Sequence, residues 1–268
     1  YIKISGTKWM TRKPATTSAS SSEEPVKSTP RQLPTRYLAL PTLRVAYCEA
    51  GSGANLILLH GNSENKAIFK QYQAEYFTDY HTYALDSRGH GQSRSVDRAY
   101  SIAQYCQDVI DFCQARGIRK THLVGYSDGG NIALLLAKNA PQLFERIVSI
   151  SPNYLASGSE ERFLQAITRR YERMKRWNRW GWPNRKKIMR YELMLNDIGI
   201  SSEELKGIRT GMKILYAERE MIKEAHILEI AALIPHSELQ KIKGCHHLNI
   251  LEQPETVAAI RAYLKTAS

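Results

Sequence analysis

Short apolar runs alternate with segments of helical periodicity along most of this chain. LILLH at 56–60 is continuously apolar, which is typical of a strand buried on both faces of a sheet. HTYALD at 81–86, THLVGY at 121–126 and MKILYA at 212–217 also predict strands. Between them, SIAQYCQDVIDFCQARGI at 101–118 repeats apolar residues with a helical period, and its Gly117 predicts the helix end. The alternation predicts an α/β fold with a mostly parallel sheet and helices on both faces.

The remaining patterned segments extend this sheet in both directions. RYLAL and LRVAYCEA predict a hairpin closed through a turn at Pro41 and Thr42. DGGNIALLLAKNA predicts the helix after THLVGY, and ERIVSIS predicts the sixth strand. After MKILYA, MIKEAHILEIAALI and PETVAAIRAYLKTA predict helices on either side of a strand at SELQKIK.

The alternation is interrupted once inside the chain and is missing at its start. Residues 154–210 lack it, so we interpret them as a helical lid inserted after the sixth strand, over one edge of the sheet. Residues 35–153 and 211–268 then form the core. Residues 1–34 are rich in Ser, Thr and Pro and have no periodicity, so we expect a disordered extension or a cloning remnant.

Composition narrows the class of protein. Hydrophobic residues make up 43% of the chain and charged residues 24%, as in soluble globular proteins. No charged start followed by an apolar core resembles a secretory signal, so we expect none. The apolar run IALLLA is too short to cross a membrane. The four cysteines form no C-x-x-C motif, and Cys106 and Cys113 would lie about 10 Å apart along one helix, too far for a disulfide. We expect free thiols in a reducing, cytoplasmic setting.

The segment GYSDGG, at the junction of a predicted strand and a predicted helix, raises the question of chemistry. Ser127 stands between Gly125 and Gly129, which would let strand and helix approach closely and hold the serine at the tip of a strained turn. A serine there can act as a nucleophile above a helix N-terminus. The simpler alternative is a serine that only caps the helix.

Five motifs together resemble the α/β-hydrolase family. They are LILLHGNSEN, YALDSRGHGQS, HLVGYSDGGNIALLLA, an acid after MKILYA, and KGCHHLNILEQPE, in the family's order from about residue 36 to 266. The resemblance implies the α/β-hydrolase fold with Ser127 as the nucleophile. The GYSDGG form resembles small carboxylesterases, aminopeptidases and amino-acid-ester hydrolases.

The same resemblance implies partners for Ser127. A serine hydroxyl needs a base, and His247 aligns with the family's histidine, three residues after Gly244, while His246 is the adjacent rival. The imidazole needs an orienting carboxylate, for which the family's G-x-x-D pattern aligns with Ala217 and Glu220. Both positions depart from that pattern, so Glu218 remains the alternative acid.

An acyl-transfer site also needs two donors for the developing oxyanion. The backbone N–H of Asp128 is one candidate, and that of Asn62, after LILLHG, aligns with the family's second donor. The Asp128 carboxylate has two interpretations: binding of a substrate ammonium group, as the resemblance to amino-acid-ester hydrolases suggests, or stabilisation of the helix N-terminus. We interpret Asp86 and Arg88 as residues that fix a loop.

The segment 161–190 is strongly basic, with eleven Lys and Arg against two Glu in a chain of net charge +12. Phe163, Ile167, Tyr171 and Met174 recur at helical spacing, which predicts an amphipathic helix whose apolar side faces the site. We expect Tyr171 and Trp177 to contact substrate. The basic side has three interpretations: a solvated lid surface, a contact with anionic lipid, or a contact with nucleic acid.

The sequence therefore predicts a serine hydrolase that cleaves a small carboxylic ester, amide or aminoacyl ester through an acyl-enzyme, with no cofactor and no metal. We expect neither nucleic-acid binding nor stable membrane insertion. Two alternatives remain. One is a weakly active scaffold that binds an anionic partner through its basic lid. The other is a different reaction of the same triad, such as carbon–carbon bond hydrolysis, acyl transfer or perhydrolysis.

Overall fold

The structure, a computed structural model, describes residues 33–97, 99–179 and 185–265. The strands are β1 (Arg36–Ala39), β2 (Arg44–Ala50), β3 (Ala54–Leu59), β4 (Tyr80–Leu85), β5 (Thr121–Tyr126), β6 (Phe144–Ile150), β7 (Met212–Arg219) and β8 (Ser237–His246). They form one sheet in the order β1-β2-β4-β3-β5-β6-β7-β8. The pairs β1–β2 and β2–β4 are antiparallel, and the other neighbouring pairs are parallel. The first hairpin and the mostly parallel sheet agree with the sequence prediction, which did not include the antiparallel pairing of β2 with β4.

Each central strand sends alternate side chains to opposite faces of the sheet, and each face has its own apolar cluster. In β3, Ile57 and Leu59 belong to one cluster, whereas Leu56 and Leu58 belong to the other. This is the period of two that a strand imposes on its side chains. The continuous apolar run of the sequence thus fills two cores at once.

Helices cover both faces of the sheet. They are α1 (Ile102–Ala115), α2 (Asp128–Asn139), α3 (Glu161–Arg179), α4 (Arg185–Leu195), α5 (Ser202–Lys206), α6 (Glu224–Leu233) and α7 (Pro254–Leu264). The first cluster contains residues of α1, α2, α5 and α6, and the second contains residues of α7 and of the short helical turns at 66–69 and 72–76. Gly117, at a φ of 66°, follows the end of α1, as the sequence predicted.

The interruption of the sequence pattern falls between β6 and β7. The chain there forms α3, α4 and α5, and we refer to residues 154–210 as the insertion. Helix α3 turns Ile167 and Met174 inward and its charged residues outward. The disordered extension was predicted for residues 1–34, of which residues 1–32 lie outside the described residues. Trp180 and Trp182 fall within 180–184, which also lies outside them.

The four cysteines are unpaired and buried, in agreement with the predicted free thiols. Within the described ranges, no helix combines the length and the apolar character that a membrane span requires.

Candidate active site

A sharp turn joins β5 to α2 and carries Ser127 at its tip. Ser127 has a φ of 54° and a ψ of −116°, which non-glycine residues rarely adopt. The turn is tight because a Cβ at Gly125 would lie 2.1 Å from the Gly129 carbonyl oxygen, and a Cβ at Gly129 would lie 2.2 Å from that of Leu59. Both glycines are therefore required by contact, and the turn presents the Ser127 hydroxyl at the carboxyl edge of the sheet.

Three predicted residues meet at this edge. The Ser127 Oγ lies 3.1 Å from the His247 Nε2, and the His247 Nδ1 lies 2.5 Å from the Glu220 Oε2. His247 follows β8 directly, and Glu220 follows β7 directly. With the proton on Nδ1 donated to Glu220, the lone pair of Nε2 points to the serine. This geometry allows His247 to accept the Ser127 proton.

The Glu220 carboxylate is held by four donors. Its Oε1 accepts from the Ser151 hydroxyl and, at 2.8 Å, from the Ala217 N–H. Its Oε2 accepts from the Met221 N–H at 3.1 Å in addition to His247. Burial alone would raise the pKa of Glu220, but the hydrogen bond and charge of His247, with the Ser151 and Ala217 donors, lower it below the ordinary value. Glu220 is thus kept ionised beside the imidazole.

The rival residues lie outside this arrangement. The Glu218 Oε2 accepts from the Gly244 N–H at 2.8 Å, and both Glu218 and His246 are exposed. His247, by contrast, is buried, and the Tyr126 hydroxyl fixes it by donating to its carbonyl oxygen at 2.8 Å. Among the described residues, no three His, Cys, Asp or Glu side chains come together as a metal-ligand set.

The predicted oxyanion donors border the same pocket as the serine and the histidine. On the loop after β3, the N–H groups that flank Asn62 are in use, because Gly61 donates to Glu64 and Ser63 donates to the His90 Nε2. Neither the Asn62 nor the Asp128 backbone N–H has an acceptor within the described part of the chain. Both amides are therefore free to donate to a substrate oxygen.

Two buried histidines support this loop, and no pattern in the sequence indicated the role of His90. The Nδ1 of His60 lies 2.7 Å from the Gly61 carbonyl oxygen, and its Nε2 accepts from the Ser87 N–H. The Nδ1 of His90 contacts the Arg88 carbonyl oxygen, and its Nε2 accepts from Ser63. Burial lowers the pKa of both imidazoles, so both stay neutral and keep an accepting nitrogen.

Asp86 and Arg88 stabilise the neighbouring loops, as the sequence predicted. Asp86 accepts from the Lys66 N–H and ammonium group and from the Gln92 N–H. Arg88 forms a bidentate pair with Asp108.

The Asp128 side chain is enclosed. It is 7% exposed, and its Oδ2 accepts from the Asn62 Nδ2 at 2.9 Å. Burial raises the pKa of Asp128 to about 6, although the Asn62 hydrogen bond and the His247 charge act to lower it. The same Asn62 amide donates to the Arg190 carbonyl oxygen at 3.0 Å. The Asn62 side chain, which the sequence did not single out, thus joins the nucleophile turn to helix α4 of the insertion.

The pocket at the serine is small, with a volume of about 30 Å³. Its lining combines apolar residues of the insertion and of the loop after β7 with several asparagines. A larger cavity of about 650 Å³ lies beside Cys48 and Lys66 and contacts none of the three residues that meet at Ser127. Besides the predicted residues, the small pocket is lined by Asn131, Asn153, Ser159, Phe163, Leu193, Met194, Asn196, Ile198, Met221 and Ile222.

Tyr171 and Trp177, which we expected to contact substrate, do not line this pocket. The Tyr171 hydroxyl donates to the Glu192 Oε1 at 3.0 Å, and Trp177 is 45% exposed. The reason is the length of α3. Trp177 lies about 15 Å along the helix from the inward-facing Ile167, beyond the pocket, and Phe163 at the other end reaches it instead.

The α/β hydrolase fold family model matches residues 54–179. An uncharacterized protein of Mycobacterium tuberculosis is 33% identical over 126 residues, which cover 44% of this chain and 37% of the relative. The chain thus matches little more than a third of the length of this relative and of its mycobacterial counterparts. Carboxylesterase YbfK of Bacillus subtilis is 26% identical over 231 residues, 76% of this chain and 77% of the relative.

Solved structures agree on the fold. The Bacillus subtilis carboxylesterase CesB (YbfK) superposes with a TM-score of 0.71 at 21% identity, covering 89% of this chain and 94% of that chain. A meta-cleavage product hydrolase of Pseudomonas fluorescens gives a TM-score of 0.70 at 18% identity, covering 85% and 97%. With the strand order and the match of the family model to residues 54–179, these superpositions show that the chain has the α/β-hydrolase fold.

Proposed function

We propose that this chain is a serine hydrolase that cleaves a small carboxylic ester through an acyl-enzyme. The observation that carries the proposal is the continuous contact from the Ser127 Oγ through the His247 imidazole to the Glu220 carboxylate. The strained backbone of Ser127 adds support, since such strain persists where a turn is fixed for function. The 26% identical carboxylesterase of Bacillus subtilis adds the reaction class.

The proposed chemistry has two halves. His247 removes the Ser127 proton as the oxygen attacks the ester carbonyl, and the N–H groups of Asn62 and Asp128 stabilise the oxyanion. The imidazolium, held by Glu220, gives its proton to the leaving alkoxide. Water then attacks the acyl-enzyme, with His247 again taking and returning a proton, and the acid leaves.

The pocket favours short acyl groups and disfavours an α-ammonium group. A volume of about 30 Å³ holds few atoms besides the reacting carbonyl. The Asp128 Oδ2 already accepts a hydrogen bond from the Asn62 amide, and this occupied oxygen is poorly suited to bind a cation. We therefore propose a short-chain ester rather than an aminoacyl ester. We also propose that the insertion acts as a lid, since Phe163, Leu193 and Met194 border the pocket.

A fluorophosphonate probe tests the serine mechanism directly. Wild-type protein should be labelled, and Ser127→Ala should not. Ser63→Ala is a matched control, since Ser63 lies near the pocket on the Asn62 loop and should leave labelling intact. Absence of labelling in the folded wild type, or labelling that persists in Ser127→Ala, would contradict the proposal.

A substrate panel tests the ester class. p-Nitrophenyl acetate should have a higher kcat/KM than p-nitrophenyl octanoate, and an aminoacyl ester should be no better than its desamino analogue. Preference for the aminoacyl ester, lost in Asp128→Ala, would instead support ammonium recognition. Hydrolysis of a carbon–carbon bond in a vinylogous diketone, without ester turnover, would assign the triad to the other reaction.

A further inference from the structure

Most of the net positive charge of this protein comes from one short segment. Residues 161–190 hold eleven Lys and Arg against two Glu, so they carry nine of the twelve net positive charges of the chain. The rest of the chain together carries a net charge of only three (12 minus 9). Such an asymmetry describes a surface that meets an anionic partner rather than a feature of the fold.

Helix α3 arranges part of this charge as a line. Arg162, Arg169, Arg173 and Arg176 are all exposed, and we call these four residues the arginine face. Their spacings of seven, four and three residues place them within about 60° of one another around the helix. At 1.5 Å per residue, the face is about 21 Å long. Ile167 and Met174 anchor the opposite side of the helix in the protein.

The arginine face is not neutralised from within the protein. Across the ranges that the structure describes, none of its four guanidinium groups forms an ion pair with a carboxylate. The helical turn that begins α4 adds Arg185, Lys186 and Lys187, which are also exposed. Some arginines outside the insertion do pair with carboxylates, as Arg88 does with Asp108 and Arg261 with Asp79. The insertion therefore presents an uncompensated basic surface.

Aromatic side chains accompany this charge. Trp177 is 45% exposed at the edge of the arginine face, and the Arg173 guanidinium lies 5.3 Å from its ring centre. The sequence continues with Trp180 and Trp182 before the next basic residues. Tryptophan between arginine and lysine is typical of segments at the water–lipid boundary, where indoles lie at the headgroups and cations bind phosphates.

We propose that the insertion binds an anionic phospholipid surface through the arginine face and Trp177, without spanning the bilayer. The uncompensated charge supplies the attraction, and the exposed indole supplies shallow contact with the headgroup region. The proposal is independent of the ester hydrolysis proposed above, because binding requires neither Ser127 nor turnover. It also places the pocket, which Phe163 of the same helix lines, near the membrane surface.

Cosedimentation with vesicles tests the proposal on the full chain. Phosphatidylcholine vesicles that contain phosphatidylglycerol should bind the protein, and vesicles of phosphatidylcholine alone should not. Binding should weaken steeply with added salt, because exposed charges are screened within about 10 Å at 0.1 M ionic strength. Tryptophan emission should shift to the blue on binding, since three of the four tryptophans lie in the segment 177–182.

Two charge-matched variants locate the surface. Arg169→Gln/Arg173→Gln/Arg176→Gln should bind anionic vesicles on the order of 100-fold more weakly, at about fivefold for each basic residue. Arg119→Gln/Lys120→Gln/Lys243→Gln removes the same charge from exposed positions outside the insertion. Its binding to anionic vesicles should weaken by less than about tenfold. Thermal unfolding of both variants checks that each is folded.

Three outcomes would overturn the proposal. One is no binding to anionic vesicles at low ionic strength. Another is an equal loss in the two triple variants, which would show that the net charge and not the arginine face binds. The third is tighter binding of a single-stranded oligonucleotide than of vesicles, with quenched rather than blue-shifted emission, which would assign the face to nucleic acid.

Discussion

Glu220→Gln exchanges one oxygen of the buried carboxylate for an NH2 group, and neither orientation of the new amide fits. The Oε1 position faces the Ala217 N–H, and the Oε2 position faces the Met221 N–H and the His247 Nδ1. An NH2 group at either position meets a backbone donor where an acceptor is required. The wild-type site thus requires a side chain whose two terminal oxygens both accept hydrogen bonds.

The two orientations damage catalysis in different ways. With the NH2 group toward His247, the imidazole must offer Nδ1 as an acceptor. Its proton then moves to Nε2, where it faces Ser127 and blocks proton transfer. With the NH2 group toward Ala217, the tautomer is correct, but no negative charge stabilises the imidazolium. Either way we expect kcat/KM for p-nitrophenyl acetate to fall roughly 1,000- to 10,000-fold.

Glu218→Gln is the matched control, because Glu218 is an exposed glutamate two residues away. Its side chain accepts a hydrogen bond from the Gly244 N–H and does not contact His247. It should keep kcat/KM within about twofold of wild type, as expected for an exposed substitution. Circular dichroism and thermal unfolding should show both variants folded. A loss below about tenfold in Glu220→Gln, or comparable losses in both variants, would refute the assignment of Glu220.

Three further substitutions test the electrostatics and strain of the site. Asp128→Asn should raise the free energy of unfolding by about 1 to 3 kcal/mol at about pH 8 and change it little at about pH 4. The reason is that the pKa of Asp128 rises on folding from 3.8 to about 6, so the stability contributed by the neutral acid is lost as pH rises through that range. A difference between wild type and Asp128→Asn in urea denaturation that does not change with pH would contradict this. Ser127→Gly should be about 1 kcal/mol more stable than Ser127→Ala, because glycine accepts a φ of 54° without strain, and equal melting temperatures would argue against stored strain. Asn62→Asp would bring a second carboxyl to within hydrogen-bonding distance of Asp128, so kcat/KM should fall at least about tenfold at neutral pH and less at acidic pH. A ratio of wild-type to variant kcat/KM that does not change with pH would rule out carboxylate repulsion.

The sheet and the order of its elements could be predicted from the sequence because the relevant signals are local. The run at Leu56–Leu59 is apolar at consecutive positions, and this requires burial on both faces. Gly117 marks a helix end through its own backbone angle. Ser127 could be singled out because Gly125 and Gly129 constrain the turn around it, and His247 because the family resemblance aligns it three residues after Gly244.

The contacts between distant segments could not be predicted in the same way. Ser151, which follows β6, donates a hydrogen bond to Glu220, which follows β7. The Asn62 side chain donates to the Arg190 carbonyl oxygen, 128 residues later in the chain. Neither residue type is unusual at its position, so no local pattern reveals the partner. Tyr171 and Trp177 share a helix with the pocket residue Phe163, but periodicity specifies the face of a helix and not the point along it that reaches the pocket.

The order of the site residues along the chain has a consequence for synthesis. Ser127 follows β5, Glu220 follows β7 and His247 follows β8, so the last of the three is within the final tenth of the sequence. Proteins are made from the N-terminus, and their domains fold as units. A polypeptide whose synthesis stops before β8 would therefore contain the serine without its proposed base. Hydrolysis of the proposed kind would report that translation had passed β8.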